Sequence, residues 1–182
     1  MKRIKKYFFL CLYMLIAKHL PISGSRFGGT LSRKIRLYCC RHIFSKCGKH
    51  VNIERKANFG RGFDIEIGDF SGLGINCRVP SNIQIGKDVM MGPNCWILDQ
   101  NHDISVTDIP MRKQGFIRKQ TVIEDDVWIG LNVILTPGRT VKQGTVIAAG
   151  CVFCKDFPSY SVVGGNPPRL IRLRQSNMSH KA

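Results

Sequence analysis

Of the five histidines in this 182-residue chain, His102 stands between Asn101 and Asp103 in the polar stretch 99–121 (DQNHDISVTDIPMRKQGFIRKQT). An imidazole titrates at about pH 6.5, which suits it to take a proton from a hydroxyl near neutrality. A histidine in a surface loop carries no role by itself, so its meaning depends on what holds the loop. The same stretch holds Arg112, Lys113, Arg118 and Lys119, and further cations stand at Lys155, Arg169, Arg172 and Arg174. Such groups suit phosphates and carboxylates. Cys151-x-x-Cys154 has the spacing of half a zinc site, but no second Cys-x-x-Cys exists. We read the eight scattered cysteines as reduced thiols of a cytosolic protein, and expect no metal.

These groups need a scaffold, and the aliphatic residues describe one. Ile67, Leu73, Val79, Ile85, Met91 and Ile97 recur in steps of six, and Ile123, Ile129, Leu135, Val141, Ile147 and Phe153 do so again. Four residues after most of them comes a small or β-branched residue, as at Ser71, Cys77, Val89, Cys95, Val127, Val133 and Cys151. Ile53 and Phe59 extend the first run backwards, with a two-residue slip before Ile67. A six-residue period fits neither a 3.6-residue helix nor a plain two-residue strand alternation. It predicts short strands and turns coiled into a mainly β fold, a parallel β-helix that buries its aliphatics only by stacking coil on coil. Glycines following the aliphatics, such as Gly68, Gly74 and Gly92, are expected to take backbone conformations that a side chain forbids. The break at 99–121 reads as a loop leaving one face, where a rigid scaffold presents function. The expected organisation is an N-terminal basic, apolar-led helical segment over 1–50, the β-helix over 51–163, and a tail over 164–182 with a short C-terminal helix.

Charge narrows the partners. Lys and Arg number 28 against 12 Asp and Glu, a net +16, so an anionic partner is expected; the 43% hydrophobic content excludes wholesale disorder. Up to Arg61 the only acid is Glu54, whereas the hexad region is nearly balanced and the tail turns basic again. A nucleic-acid binder should carry a basic stripe with interleaved aromatics, which the near-neutral repeats lack, so no nucleic acid is expected. At the front, Tyr7 to Ala17 is wholly apolar behind Lys2, Arg3, Lys5 and Lys6. As a helix it would span about 17 Å, short of the roughly 30 Å hydrocarbon core. It imitates a secretory signal, but no A-x-A site follows, so we expect it to be retained. Two readings stay open: a helix in the membrane interface with its bases on anionic headgroups, or a helix packed on the rest of the protein.

The hexads, the Asn-His loop, the run EDDVWIGLNVILTPG and the run VVGGNPPRLIR together resemble the hexapeptide-repeat acetyltransferases, especially the maltose, galactoside and polysaccharide O-acetyltransferases. The likeness covers about 51–173. It implies a left-handed β-helix, a homotrimer, and acetyl-CoA as acetyl donor bound in clefts between adjacent subunits. It assigns His102 as the catalytic base for direct transfer. Trp128 matches an aromatic bordering the cofactor cleft, and the Leu131 N–H matches a donor to the thioester carbonyl. Ala149, Cys154 and Lys155 match positions along the pantetheine arm and phosphates, and Arg169 and Arg172 match basic residues at the nucleotide end. On the acceptor side stand Asn94, Asp103 and Arg112, with Asp103 or a backbone carbonyl to orient the imidazole.

The chain departs from the family pattern in three places. The Thr usual before Lys155 is Cys154, GNPAR appears as GNPPR, and Gly72 and Pro80 replace polar acceptor-binding residues of the galactoside enzymes. The resemblance therefore implies an acetyl-CoA-dependent O-acetyltransferase acting on a sugar hydroxyl of a surface polysaccharide or its precursor. It would work in the cytoplasm or peripherally at the inner face of the membrane. An antibiotic, serine or a sugar amine as acceptor stays open. A carbonic anhydrase on the same solenoid would need three histidine ligands, and His50 and His102 are too few.

Overall fold

Two-residue strands are the unit of this fold, which a computed structural model describes over residues 2–175. Glu66–Ile67 pairs in parallel with Gln84–Ile85, Val122–Ile123 with Thr140–Val141, and Trp128–Ile129 with Val146–Ile147, in each case 18 residues along the chain. Three hexads therefore complete one coil, and the strands stack into three faces of a left-handed β-helix. The first face runs from Lys46–Cys47 through Glu66–Ile67, Gln84–Ile85 and Val122–Ile123 to Thr140–Val141. The second carries Asn52–Ile53, Gly72–Leu73, Met90–Met91, Trp128–Ile129, Val146–Ile147 and Ser161–Gly164. The third runs from Asn58 and Arg78 through Trp96–Ile97 and Ile134–Leu135 to Val152–Phe153. In these strands the second residue is typically buried and the first turned outward, which is the hexad register seen from inside.

Corners are closed by residues in the left-handed conformation. Asn76, Asp88, Asn94, Asp126 and Asn132 have φ between 54° and 57°, a region that Asn and Asp tolerate. Their N–H groups donate to the preceding coil, as Asn94 does to Ile75 O (2.8 Å) and Asn132 to Pro93 O (3.0 Å), so the corners form a ladder of their own. The glycines after the aliphatics play a different part from the one expected. Gly68, Gly74 and Gly92 are not among the residues with positive φ. Instead, a Cβ on Gly68 would stand 2.6 Å from the backbone of Gly86, and one on Gly92 2.8 Å from that of Gly130. Close approach of the next coil, rather than conformational freedom, requires them.

Two irregularities in the register have clear sites. Lys46 pairs with Glu66 and Asn52 with Gly72, two residues more than in later coils, and the excess falls at 60–63, where Gly60 and Gly62 have φ of 57° and 64°. Gln84 pairs with Val122, so the long insertion leaves between the third face of one coil and the first face of the next. The first coil starts at Lys46, ahead of the boundary expected at Val51.

The described part of the tail forms a strand instead of the expected helix. Ser161–Gly164 turns through 165–168 and returns antiparallel as Arg169–Leu173. Pro167 and Pro168 cannot donate to a helix, and the last coil leaves a sheet edge open to pairing. Lys181 and the rest of 176–182 lie outside the described residues.

Two helices, α1 (Lys2–Leu15) and α2 (Gly29–Ile43), cover the first coil. Tyr13 packs at a tilt against Phe59 (4.6 Å between ring centres) and its hydroxyl donates to Ala57 O (2.8 Å). One side of α1 is thus packed on the β-helix, and no described helix is long and apolar enough to cross a membrane.

Candidate active site

The inserted segment is an ordered arm. Gln100–His102 pairs antiparallel with Phe116–Arg118, placing His102 opposite Phe116 with ring centres 4.4 Å apart. Lys119 N–H donates to Asp99 O (2.8 Å) at the base, and Gln120 Nε2 donates to Asn82 O (2.6 Å), anchoring the arm on the coil below. At the tip lies a one-turn helix, α3 (Met111–Gln114). The Gln114 amide accepts from Val106 N–H (3.2 Å) and donates to Val106 O (3.0 Å) and Ile109 O (2.6 Å), closing the 106–109 bend. His102 is exposed, and its ring makes no hydrogen bond among the described residues. It is held in direction by the hairpin and Phe116, with its nitrogens left free. Asp103 does not orient it: the carboxylate accepts from Ser105 N–H (2.9 Å), and this bond holds its pKa below the ordinary aspartate value. Arg112 is exposed at the tip and carries no ion pair among the described residues.

Five of the remaining assigned residues lie at the two edges of the third face, and Trp128, Arg169 and Arg172 on strands of the sheet that forms the second. Cys154 and Lys155 occupy the same corner as the arm, two coils further on, with Lys155 Nζ 5.3 Å from the Phe157 ring centre. Both are exposed, and the Cys154 carbonyl accepts from Arg139 Nη1 (3.1 Å). Asn94, Leu131 and Ala149 fall on the other corner, one coil after another. Asn94 Oδ1 is taken by Asn76 Nδ2 (2.9 Å), so this residue belongs to the corner ladder. The Leu131 carbonyl accepts from Gly150 N–H (2.8 Å), while the Leu131 N–H donates to no group among the described residues. Ala149 and Gly150 are exposed, and nothing stands within 4 Å of where a Gly150 Cβ would be, which leaves this corner open. Trp128, 51% exposed, lies just before it on the second face. Arg169 and Arg172 are exposed on the last strand with no ion pair among the described residues. Arg174, by contrast, bonds Asp126 Oδ2 (2.9 Å) and Gly144 O (2.8 Å) and braces the tail.

One chain therefore has Lys155 at the corner from which the His102 arm leaves, and Leu131 and Ala149 at the other corner with Trp128 beside it. Sequence reasoning assigned nothing to Gln114, Phe116 or Gln120. Phe116 is the one aromatic residue of the insertion, a signal that was available.

Known proteins define the family. No protein-family profile matches the chain. A putative acetyltransferase of Saccharomyces cerevisiae is 33% identical over 135 residues, 72% of this chain and 67% of that protein. The galactoside O-acetyltransferase of Escherichia coli is 30% identical over 135 residues, 72% of this chain and 65% of that enzyme. A hexapeptide-repeat-containing acetyltransferase of Vibrio cholerae, solved with acetyl-coenzyme A, is 28% identical, with a TM-score of 0.73 over 96% of this chain and 88% of the other. The chain belongs to the hexapeptide-repeat acetyltransferases. It spans between 31% and 65% of the length of several curated relatives that it matches.

Proposed function

We propose that the protein transfers an acetyl group from acetyl-CoA to a sugar hydroxyl, in a surface polysaccharide or its precursor, as a cytosolic homotrimer. The observation that carries this reading is His102, an exposed imidazole with free nitrogens on an arm braced at both ends. The relative named galactoside O-acetyltransferase supports the acceptor class, and the neighbour solved with acetyl-coenzyme A supports the donor. The residues present fit that donor. The open corner at Ala149, the Trp128 ring and the free Leu131 N–H suit a thioester on a flexible arm, and Lys155, Arg169 and Arg172 suit its phosphates. Eight free thiols support a reducing compartment.

Bound acetyl-CoA supplies an activated acetyl carbonyl. His102 takes the proton from the acceptor hydroxyl as that oxygen bonds to the acetyl carbon, and returns it to sulfur as the C–S bond breaks. The Leu131 N–H donates to the carbonyl oxygen, where negative charge gathers. Asp103 is engaged in its own turn and Asn94 with Asn76 of the preceding coil, so Arg112 is the acceptor-side group left free. Trimerisation is supported by the split between corners and by Ile104, Ile109, Met111 and Ile117, which the arm exposes and a second copy would cover.

His102→Ala is the test. Coenzyme A release coupled to acceptor acetylation should fall by ~10²–10⁴-fold, the usual worth of a general base, with the melting temperature unchanged. Full transfer by the folded variant would refute the assignment, and mass spectrometry across sugars and lipid-linked glycans would identify the acceptor.

A further inference from the structure

Helix α1 is apolar on both sides, and only one side is covered. Phe9, Tyr13 and Ala17 are buried against the rest of the protein. On the opposite side Ile4, Phe8, Cys11 and Leu15 fall at spacings of four, three and four, which places them in one stripe. Ile4, Phe8 and Leu15 are 74%, 64% and 77% exposed. An apolar stripe left facing water calls for a partner.

The stripe continues onto α2. Phe8 and Tyr38 both pack edge-on against Phe9, with ring centres 5.3 and 5.6 Å away, so they share the outer surface of the helical pair. Leu31, two turns before Tyr38, is also exposed. Positive charge borders this surface. Lys34 and Arg41 lie on the outer side of α2, and with Arg33 and Lys49 they line a groove of about 330 Å³ beside it. On α1, Lys5 Nζ stands 6.0 Å from the Phe9 ring centre. No Asp or Glu occurs before Glu54, and Glu54 is turned inward onto Ser23 and Arg36.

We infer that the outer face of the α1–α2 pair docks on an anionic lipid bilayer, with Ile4, Phe8 and Leu15 seated among the acyl chains and Lys5, Lys34 and Arg41 on headgroup phosphates. Stable interfacial binding takes an apolar and a basic signal together, and this face carries both. A helix too short to span, apolar on its outer side and flanked by cations, is suited to lie in the interface plane. The arm bearing His102 leaves two coils beyond the one the helices cover, about 10 Å along the axis. A glycan on a lipid would then be within reach, a consequence that rests on the proposed activity, whereas the docking does not.

The full chain is tested by co-sedimentation with vesicles of phosphatidylcholine, with and without phosphatidylglycerol. Binding is expected only to the anionic vesicles. Lys34→Gln with Arg41→Gln should weaken it roughly thirtyfold, since each base near the surface is worth about fivefold. Phe8→Ser with Leu15→Ser should weaken it at least about tenfold through lost burial. Unchanged thermal melting confirms that these exposed replacements leave the fold intact. A full chain that never sediments with anionic vesicles overturns the proposal. So does loss of binding in the charge variant alone, which is mere attraction of a basic protein. If the apolar variant instead lowers the molar mass by light scattering and binds vesicles as before, the face belongs to another copy of the chain and the proposal fails.

Discussion

Arg36 is the buried hinge pin of the N-terminal cap, and replacing it should cost more than any other single change there. Its side chain is fully buried. Nε donates to Ile53 O, Nη1 donates to Pro21 O (2.8 Å), and Nη2 donates to Ser23 Oγ (2.9 Å) and stands 3.6 Å from Glu54 Oε2. Burial pulls the guanidinium pKa below the ordinary arginine value, and the Glu54 charge opposes that shift. These bonds join α2, the connection through Pro21 and Ser23, and strand Asn52–Ile53 of the first coil.

Arg36→Met keeps most of the stem and removes every donor. A buried acceptor left without a partner costs about 1–3 kcal/mol, and breaking one side of a buried ion pair typically costs about 3–5 kcal/mol. Glu54 keeps its bonds from Ser23 N–H (3.1 Å) and Asn52 Nδ2 (2.9 Å) and is 17% exposed, so its charge is not stranded. The expected loss is therefore at the low end, about 3–4 kcal/mol. That is a large share of a typical stability of about 5–15 kcal/mol. Urea unfolding followed by circular dichroism measures it, with Glu54→Gln alone and in combination to give the coupling. The two losses should add to more than the double variant loses. A loss below about 1 kcal/mol, the worth of one neutral hydrogen bond, would refute the claim that the guanidinium holds the cap.

Stability should depend on pH from both sides. Burial pushes the Glu54 carboxyl up, but bonds from Ser23, Asn52 and Arg55 outweigh it; the Lys142 bond likewise holds Glu124 below its ordinary value. Both contributions are present above about pH 4.5 and lost as pH falls through the folded values, which melting against pH will show. At the alkaline end burial pushes the Cys77 thiol up to about 12 and holds Cys40 and Tyr13 well above their ordinary values. The unfolded chain ionises first, so stability should fall by roughly 1.4 kcal/mol per pH unit for each of the two thiols above about pH 8.5 and for Tyr13 only above about pH 10, and a flat melting profile would contradict this. Lys155→Ala with Arg172→Ala should weaken acetyl-CoA binding by about tenfold or more in calorimetry, and an unchanged affinity would remove both from the phosphate site. At the corner, Asn132→Ile should cost about 1–2 kcal/mol because a β-branched residue resists positive φ, whereas Asn132→Gly should cost little.

The repeating part of the fold was legible because each hexad carries its own evidence, and the two-residue slip before Ile67 marked the glycine corner at 60–63. What depended on a neighbour distant in sequence was not legible. Gly68 looks like a conformational glycine until the backbone of Gly86, one coil later, is placed against it. The tail looked helical until the open edge at Ser161–Gly164 offered it a ladder. The arm's hairpin is only three residues long on each side, and Gln114 and Gln120 hold it through bonds that no local pattern announces.

The candidate site is a sharper case, because its residues were assignable one by one while their meeting was not. Hexad phase fixes the corners from which they start. Counting in steps of 18, the arm and Lys155 share the corner after the third face, and Leu131 and Ala149 share the corner before it. The proposed reaction needs His102 and the Leu131 N–H at one carbonyl, whereas the arm that carries His102 leaves from the corner on the other side of the third face from Leu131. In the proposed trimer a second copy brings its Leu131 corner to the His102 arm of the first, so on this mechanism a monomer should be inactive even when fully folded. Replacing exposed Ile109 and Met111 of the arm by Glu tests it by setting oligomeric mass against activity: the two should be lost together while the melting of the separated chain stays cooperative, and an active monomer would refute the split site.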